Sequence, residues 1–496
     1  MTHRTTHWLV VWLAFGFVSS TAADQATFFQ SAKPIWPTGR EAEMNLLVGF
    51  RAVVAAPPPP NAVLRVAAST LYRARVNGEF LGHGPARGPH GYYRVDEWDL
   101  GGKLAAGPNV VAIEVAGYNC NSYYLLDQPS FLQAEIVADG KVLASTAGEG
   151  IPFTAAVLEH RVQKVQRYSF QRPFIEVYQL QPDTDRWLRD PAAPWPTVDG
   201  QVQPAKKLLP RHVLAPEFAV IPPVRHVASG RTERLETVAN VWKDRSLVNV
   251  GPQLKGYPES ELAMVPSTEL QHLTSAQTVA IDQPYRSEDP LELSEDKYHI
   301  LDLGANLTGF LGARIRCSTK TRLAFTFDEI LSGTDVDFKR LGCVNAVSYE
   351  LEPGEYQVES LEPYTLRYWK LLCQQGACTL RGLYLRECAH PAIQQAQFAC
   401  SDDRLDRLFA AGVLTFRQNA LDVFMDCPSR ERAGWLCDSY FTARSACDLT
   451  GATLIERNFF ENFLLPERFA HLPDGMLPMC YPADHNDGVF IPNWAL

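Results

Sequence analysis

The chain has 496 residues, which at roughly 100–200 residues per domain predicts about three or four domains. Apolar residues make up 46% and charged residues 21%, near the globular average, so disorder and fibrous repeats are excluded. Lys and Arg total 46 against 56 Asp and Glu, a net charge of −10; this offers no electrostatic footprint for a nucleic-acid partner.

Residues 1–23 read as a secretory signal. Arg4 sits in a short polar start, Trp8 to Val18 form an apolar run, and Ser19-Ser20-Thr21-Ala22-Ala23 supply small residues for cleavage. The run is too short to cross a hydrocarbon core of about 30 Å, and no later segment approaches ~18 uninterrupted apolar residues. The expected location is therefore secreted or periplasmic, with no membrane span. The 11 Cys are irregularly spaced and include no CxxC pair, so zinc and thioredoxin-type readings lack support. Buried structural thiols account for most of them; one or two disulfides fit, but no pairing is assignable.

After Pro57-Pro58-Pro59-Pro60 the pattern has period 2. Leu71 to Val76, Asn77-Gly78 and Glu79-Phe80-Leu81 predict a hairpin. Val110 to Val115 is a strand, and Phe131 to Ala138, Asp139-Gly140 and Lys141 to Leu143 form a second hairpin. Residues 24–150 are read as a β-sandwich. Residues 151–290 hold many prolines and read as a Pro-rich linker or irregular β module. Strands at His299 to Leu303, Ala313 to Arg316, Arg322 to Phe327 and Leu366 to Leu372 predict a second sandwich over 291–391.

From 392 the period becomes helical. Ser401-Asp402-Asp403 is a capped helix start, with Leu405, Leu408, Phe409, Val413 and Phe416 on one apolar face. A second helix runs from Trp435 to Gly451 with Tyr440, Phe441, Ala443 and Cys447 expected inside. A third covers Leu454 to Leu465, with Ile455, Phe459, Phe463 and Leu464 inward, and Pro466 stops it.

The densest polar constellation is Asp426-Cys427-Pro428-Ser429-Arg430-Glu431-Arg432-Ala433-Gly434-Trp435-Leu436-Cys437-Asp438. Glycoside hydrolysis needs a protonated carboxyl for the leaving oxygen and a second carboxylate to activate water or attack. Apolar neighbours disfavour an ionised acid, fixed arginines hold carboxylates ionised, and an indole offers a flat face to a sugar ring. The same residues also suit an ordinary ion-pair network closing an interhelical loop, with Ser429 as a helix cap. Tyr92, Tyr93, Tyr123 and Tyr124 fit a sugar platform or a sandwich core equally well. Asp484-His485-Asn486-Asp487 reads as a polar loop, and no metal or cofactor is expected.

The constellation resembles the active-site signature of the bacterial α-L-rhamnosidases, six-hairpin glycosidases of glycoside hydrolase family 78. Val76-Asn77-Gly78-Glu79 and Gly84-Pro85-Ala86-Arg87-Gly88-Pro89 resemble that family's N-terminal sugar-binding-like sandwich. Leu301-Asp302-Leu303-Gly304 through Phe327-Asp328-Glu329-Ile330-Leu331 resemble its second β-domain. The resemblance implies a multidomain β + α protein, with β-sandwich modules followed by the first hairpins of an (α/α)6 barrel at 392–496. It implies Glu431 as the general acid of an inverting mechanism. Asp426 and Asp438 would bind rhamnose hydroxyls, and Arg430 and Trp435 would shape the pocket. The implied partner is a rhamnose-containing glycan or glycoside.

Two features depart from the family pattern. Cys437 stands where the family has Gly before the final Asp. No position here represents the general base, a Glu late in the family's barrel, and 104 residues from Ile393 onward are too few for twelve helices, so the barrel is expected to be incomplete. A non-catalytic carbohydrate-binding protein or fragment, and a six-hairpin glycosidase for another sugar, stand as the alternatives.

Overall fold

The computed structural model describes residues 28–55, 61–469, 472–484 and 491–495. The leader at 1–23, the proline run at 57–60 and His485-Asn486-Asp487 lie outside the described residues.

Two sheets make the first sandwich. One orders Ile151–Pro152, Lys141–Ser145, Leu132–Ala138, Val63–Ala68, Tyr92–Asp99 and Lys207–Pro210, with Ile35–Pro37 bridging to Gly200–Val202. The other orders Thr154–Val157, Leu46–Val54, Asn109–Gly117, Tyr72–Val76 and Glu79–Gly84. Both hairpins expected from the sequence form, and their turns have positive φ at Asn77 (51°) and Gly78 (85°), and at Asp139 (48°) and Gly140 (72°). Left-handed backbone at both turn positions matches the twist of the flanking strands, and Asn, Asp and Gly tolerate it. Leu46, Val48, Phe50, Ile113, Val115 and Ile136 fill the space between the sheets.

The second sandwich is one sheet curled on itself. Its spine is the long strand Lys297–Cys317. The first half pairs with Arg225–Arg234 and Tyr364–Gln375; the second half pairs with Gly354–Glu359 and Ala377–Glu387. The register breaks between Asp302 and Leu307, where Gly304 adopts φ 83°, and the chain bends there. Residues 151–290 are not a separate module. Glu176–Leu180, Val220–Ile221, Arg225–Arg234 and Leu273–Pro284 join the second sheet, whereas Ile151–Pro152, Thr154–Val157, Gly200–Val202 and Lys207–Pro210 join the first sandwich. These are short edge pieces or, at 225–234 and 273–284, the last two strands at one edge of the second sheet, mostly exposed or half-buried and without clean alternation, which is why the sequence pattern missed them.

A buried ion cluster locks the sandwiches together. Arg73 pairs with Glu114 at 2.7 Å, and Glu359 accepts from Arg75 at 2.8 Å and Arg386 at 2.9 Å. Burial pushes Glu359 up, but Arg75, Arg73 and Arg386 outweigh it and hold its carboxyl at about 2.

Three helices follow, Asp403–Asn419, Leu436–Thr450 and Leu454–Leu464. Asp402 caps the first by accepting from the Arg404 N–H at 3.0 Å, and Gly451 ends the second in the left-handed region. Their burial differs from the expected faces. Phe416, Ile455, Phe459 and Phe463 are buried, but Leu405, Leu408, Tyr440, Phe441 and Leu464 are exposed, as is Cys447. The reason lies in what the helices pack on: the buried ones meet Ala86, Val213 and Leu126 from the β region, while the exposed side chains face away from it. Among the described residues, no helix is long and apolar enough to cross a membrane.

Candidate active site

The 426–438 segment is a loop pinned at both ends. The Asp426 N–H donates to the Ala433 carbonyl and the Ala433 N–H donates back to Asp426 Oδ1, each at 3.0 Å. Between them Arg432 takes φ 58°, a left-handed conformation that costs a non-glycine residue about 1–2 kcal/mol. Its N–H donates to the Cys427 carbonyl at 3.2 Å and its guanidinium to the Pro428 carbonyl at 3.0 Å. This reversal turns the preceding Glu431 inward, where it is 6% exposed. Gly434 has no room for a side chain: a Cβ would lie 2.7 Å from the Tyr481 carbonyl oxygen and 2.8 Å from the Phe459 ring.

Three donors surround the Glu431 carboxylate. Oε1 accepts from Gln171 Nε2 and from the Arg430 guanidinium, both at 2.7 Å, and Oε2 accepts from Trp435 Nε1 at 2.8 Å. Oε1 thus takes two donors and Oε2 one, which leaves Oε2 the less occupied oxygen of the pair. Asp426 is the neighbouring acid; burial, then the charge of Glu431, push its carboxyl up to about 6. The site thus pairs a carboxylate held by three N–H donors with a carboxyl that is partly protonated near neutrality.

The structure brings Asp426, Arg430, Glu431 and Trp435 into one cluster. Asp438 lies in the exposed first turn of the following helix, with Cys437 half-buried beside it. Asp426 also borders an open groove of about 1000 Å³ between the first two helices, lined by Phe409, Phe416, Phe441 and Asp448. A second, more enclosed space lies between the sandwiches near Arg73 and Glu359, where Arg73, Arg75, Glu114 and Glu359 are paired with one another. Among the described residues, no group of three or more His, Cys, Asp or Glu is placed to hold a metal ion.

Several residues at the site escaped the sequence reading. Gln171 and Arg172 come from the tight hairpin of Arg167–Ser169 and Arg172–Phe174. Arg172 donates to the Ser429 carbonyl at 2.9 Å and to Glu362 at 3.1 Å. Arg87, in the Gly84–Pro89 stretch, grips Asp422 through Nε at 2.9 Å and a terminal nitrogen at 2.7 Å, and donates to the Arg432 carbonyl at 2.7 Å. Tyr123 and Tyr124 are buried: Tyr123 meets the Trp435 ring edge-on at 6.0 Å, and Tyr124 lies among the guanidiniums of Arg87, Arg172 and Arg432. They are packing beneath the loop; Tyr93 is likewise buried. The Gly84–Pro89 glycines and prolines were the available signal for Arg87, whereas nothing marked Gln171.

Comparison with known proteins bears on this site. Residues 393–496 match the bacterial α-L-rhamnosidase six-hairpin glycosidase domain. No curated protein sequence matches the chain. Among solved structures, the GH78 rhamnosidase of Bacillus sp. GL1 superposes with a TM-score of 0.70 at 18% identity, covering 94% of this chain and 65% of that one. The α-L-rhamnosidase of Aspergillus terreus gives 0.57 at 17% identity, covering 93% and 48%. The Streptomyces avermitilis α-L-rhamnosidase, solved in complex with L-rhamnose, gives 0.56 at 17% identity, covering 89% and 38%. The chain therefore spans less than two thirds of the length of each.

Proposed function

We propose that this chain, a GH78 rhamnosidase-like glycoside hydrolase by its fold and by the domain at 393–496, releases terminal α-L-rhamnose from glycosides or polysaccharides with inversion. The observation that carries the reading is the inward-turned Glu431, held by Gln171, Arg430 and Trp435 beside a second acid, Asp426. Glu431 is assigned the general-acid role, which requires it to take up a proton in the substrate complex against three N–H donors that favour its ionised form; that proton then passes to the leaving glycosidic oxygen as the bond to the anomeric carbon breaks. Asp426 and Asp438 bind sugar hydroxyls, and Arg430 and Trp435 bound the pocket. The base that activates water is assigned to no residue of this chain. Export to the periplasm or medium belongs to the same reading, on the pattern at 1–23; N-terminal sequencing of the mature protein should begin at residue 23 or 24.

The test is hydrolysis of an aryl α-L-rhamnoside followed by NMR, with β-L-rhamnose as the first sugar released. Glu431→Gln should abolish turnover of substrates with poor leaving groups while sparing part of it for nitrophenyl rhamnoside, whose departure needs little protonation. Equal turnover by wild type and Glu431→Gln on both substrates would sink the assignment.

The raised carboxyl of Asp426 favours a second reading, in which Asp426 donates the proton and Glu431 orients it. The leaving-group dependence then appears in Asp426→Asn instead. A sugar panel separates rhamnose from other six-hairpin substrates, and glycan binding without hydrolysis would favour a non-catalytic binder.

A further inference from the structure

Cys317 and Cys378 stand directly opposite each other on the antiparallel strands Lys297–Cys317 and Ala377–Glu387. In the same register Arg316 faces Thr379 and Ile315 faces Leu380. Ile315, Cys317, Cys378 and Leu380 are buried whereas Arg316 is exposed, so both thiols project from the inner face of the pair. Directly opposed residues in antiparallel strands have Cα atoms about 4.5–5.5 Å apart. That separation falls within the span of about 4.4–6.8 Å bridged by disulfides. Among the strand pairings of the described residues, no other two cysteines face each other. The third thiol nearby, Cys373, faces Leu323 across its own strand pair. Its S–H is directed to the carbonyls of Gln375 at 3.3 Å and Gly376 at 3.5 Å.

We propose that Cys317 and Cys378 are an oxidisable pair that closes a cross-strand disulfide, stapling the two strand ends of the second sandwich. The co-reactant is a low-molecular-weight disulfide such as oxidised glutathione. The Cys317 thiolate attacks it and expels one glutathione thiolate, leaving a mixed disulfide. The Cys378 thiolate then attacks the Cys317 sulfur and expels the second. The two cysteine protons end on the two glutathione thiols; the protein loses two electrons and the oxidant gains them. A hydrogen bond from the Cys378 thiol holds Cys317 below its ordinary value, while the same contact and burial push Cys378 up. The position of Cys317 at the end of its strand sets it as the first nucleophile. Access comes from the strand end itself, since Cys317 is the last residue of its strand and the exposed turn Ser318-Thr319-Lys320 follows it.

The experiment is non-reducing peptide mapping of the full chain after equilibration with oxidised glutathione, with free thiols alkylated under denaturing conditions. The expected product joins tryptic peptide 317–320 to peptide 371–381, two hydrogens lighter than their sum. Peptide 371–381 contains both Cys373 and Cys378, so Cys373→Ser is mapped in parallel and should keep the cross-link, whereas Cys378→Ser should lose it. Titration should find two fewer thiols than the eleven of the reduced chain. Alkylation of both Cys317 and Cys378 in the oxidised sample, or a cross-link that disappears in Cys373→Ser, would overturn the proposal. Thermal unfolding adds a second readout: a reductant should lower the Tm of wild type and leave that of the Cys317→Ser/Cys378→Ser double variant unmoved.

Discussion

Gln171 donates its side-chain amide to Glu431 Oε1 across 2.7 Å, although the two residues are 260 positions apart. The donor sits in the turn between Arg167–Ser169 and Arg172–Phe174, so a β hairpin fixes one oxygen of the candidate acid while Trp435, on the acid's own loop, fixes the other. Orientation of the carboxyl therefore depends on docking the helical region against the β region. Gln171→Leu should keep the fold and lower kcat/KM on an aryl rhamnoside by about 10- to 100-fold, the equivalent of about 1.5–3 kcal/mol for a hydrogen bond to a charged group. A lowered Tm with unchanged kcat/KM would make Gln171 a packing residue only.

Asp426 carries a pH dependence whose sign is fixed by its environment. Burial and the Glu431 charge raise its carboxyl from the ordinary 3.8 to about 6. The folded protein thus holds this proton more tightly than the unfolded chain, and the resulting stabilisation is present below about pH 4 and lost as pH rises through 6. Asp426→Asn retains an acceptor for the Ala433 N–H but has no charge to develop. The variant should gain stability relative to wild type between pH 4 and 7, by about 1–3 kcal/mol at the upper end. Urea unfolding at several pH values measures this; a difference between the two proteins that stays constant with pH would refute the environment described for Asp426. In Glu431→Gln the Asp426 titration should move down, because the second-largest cause of its shift is gone.

Much of this arrangement was legible in the residues. Alternation with Asn77-Gly78 and Asp139-Gly140 turns revealed both hairpins, because left-handed turn backbone restricts the residues allowed there. The 426–438 constellation revealed the loop and its acids. Contacts made across long sequence separations were not legible. Gln171 and Arg87 reach the loop only after three chain regions have packed, and no local periodicity encodes that. The apolar helix faces misled for the same reason: a helical period identifies a face, but not what covers it. Leu408 and Phe441 have the same pattern as Phe416 and differ only in having no β surface beneath them.

Arg87 and Asp422 join the first sandwich to the segment preceding the site. Burial alone pushes Asp422 up, but Arg87 outweighs it and holds the carboxyl well below the usual range. The pair is almost enclosed, and Arg87→Ala leaves the buried carboxylate with only the backbone N–H donors at 87 and Val423 and the charge of Arg211, a loss of up to about 3–5 kcal/mol. Because Asp422 is depressed in the folded state, the stabilisation is present above about pH 4 and fades as pH falls below that. The stability gap between wild type and Arg87→Ala should therefore narrow in acid. A gap that holds from neutrality down to pH 3 would mean the arginine acts by packing rather than by charge.

The helices separate two classes of aromatic residue that sequence alone treats alike. Phe459 is 1% exposed and packs among Val423, Met425, Phe463 and Tyr481, with Leu126 of the β region in the same cluster. Phe441 is 67% exposed on the neighbouring helix. Truncating a buried Phe removes its transfer free energy and leaves a cavity, so Phe459→Ala should cost about 3–5 kcal/mol. Phe441→Ser removes only exposed apolar surface and should change the stability of this chain by no more than about 0.5 kcal/mol. Denaturant midpoints of the two variants give the comparison directly. A large loss for Phe441→Ser would mean that the outer face of the 436–450 helix is covered in solution, and the groove beside Asp426, which Phe441 lines, would then be closed on that side.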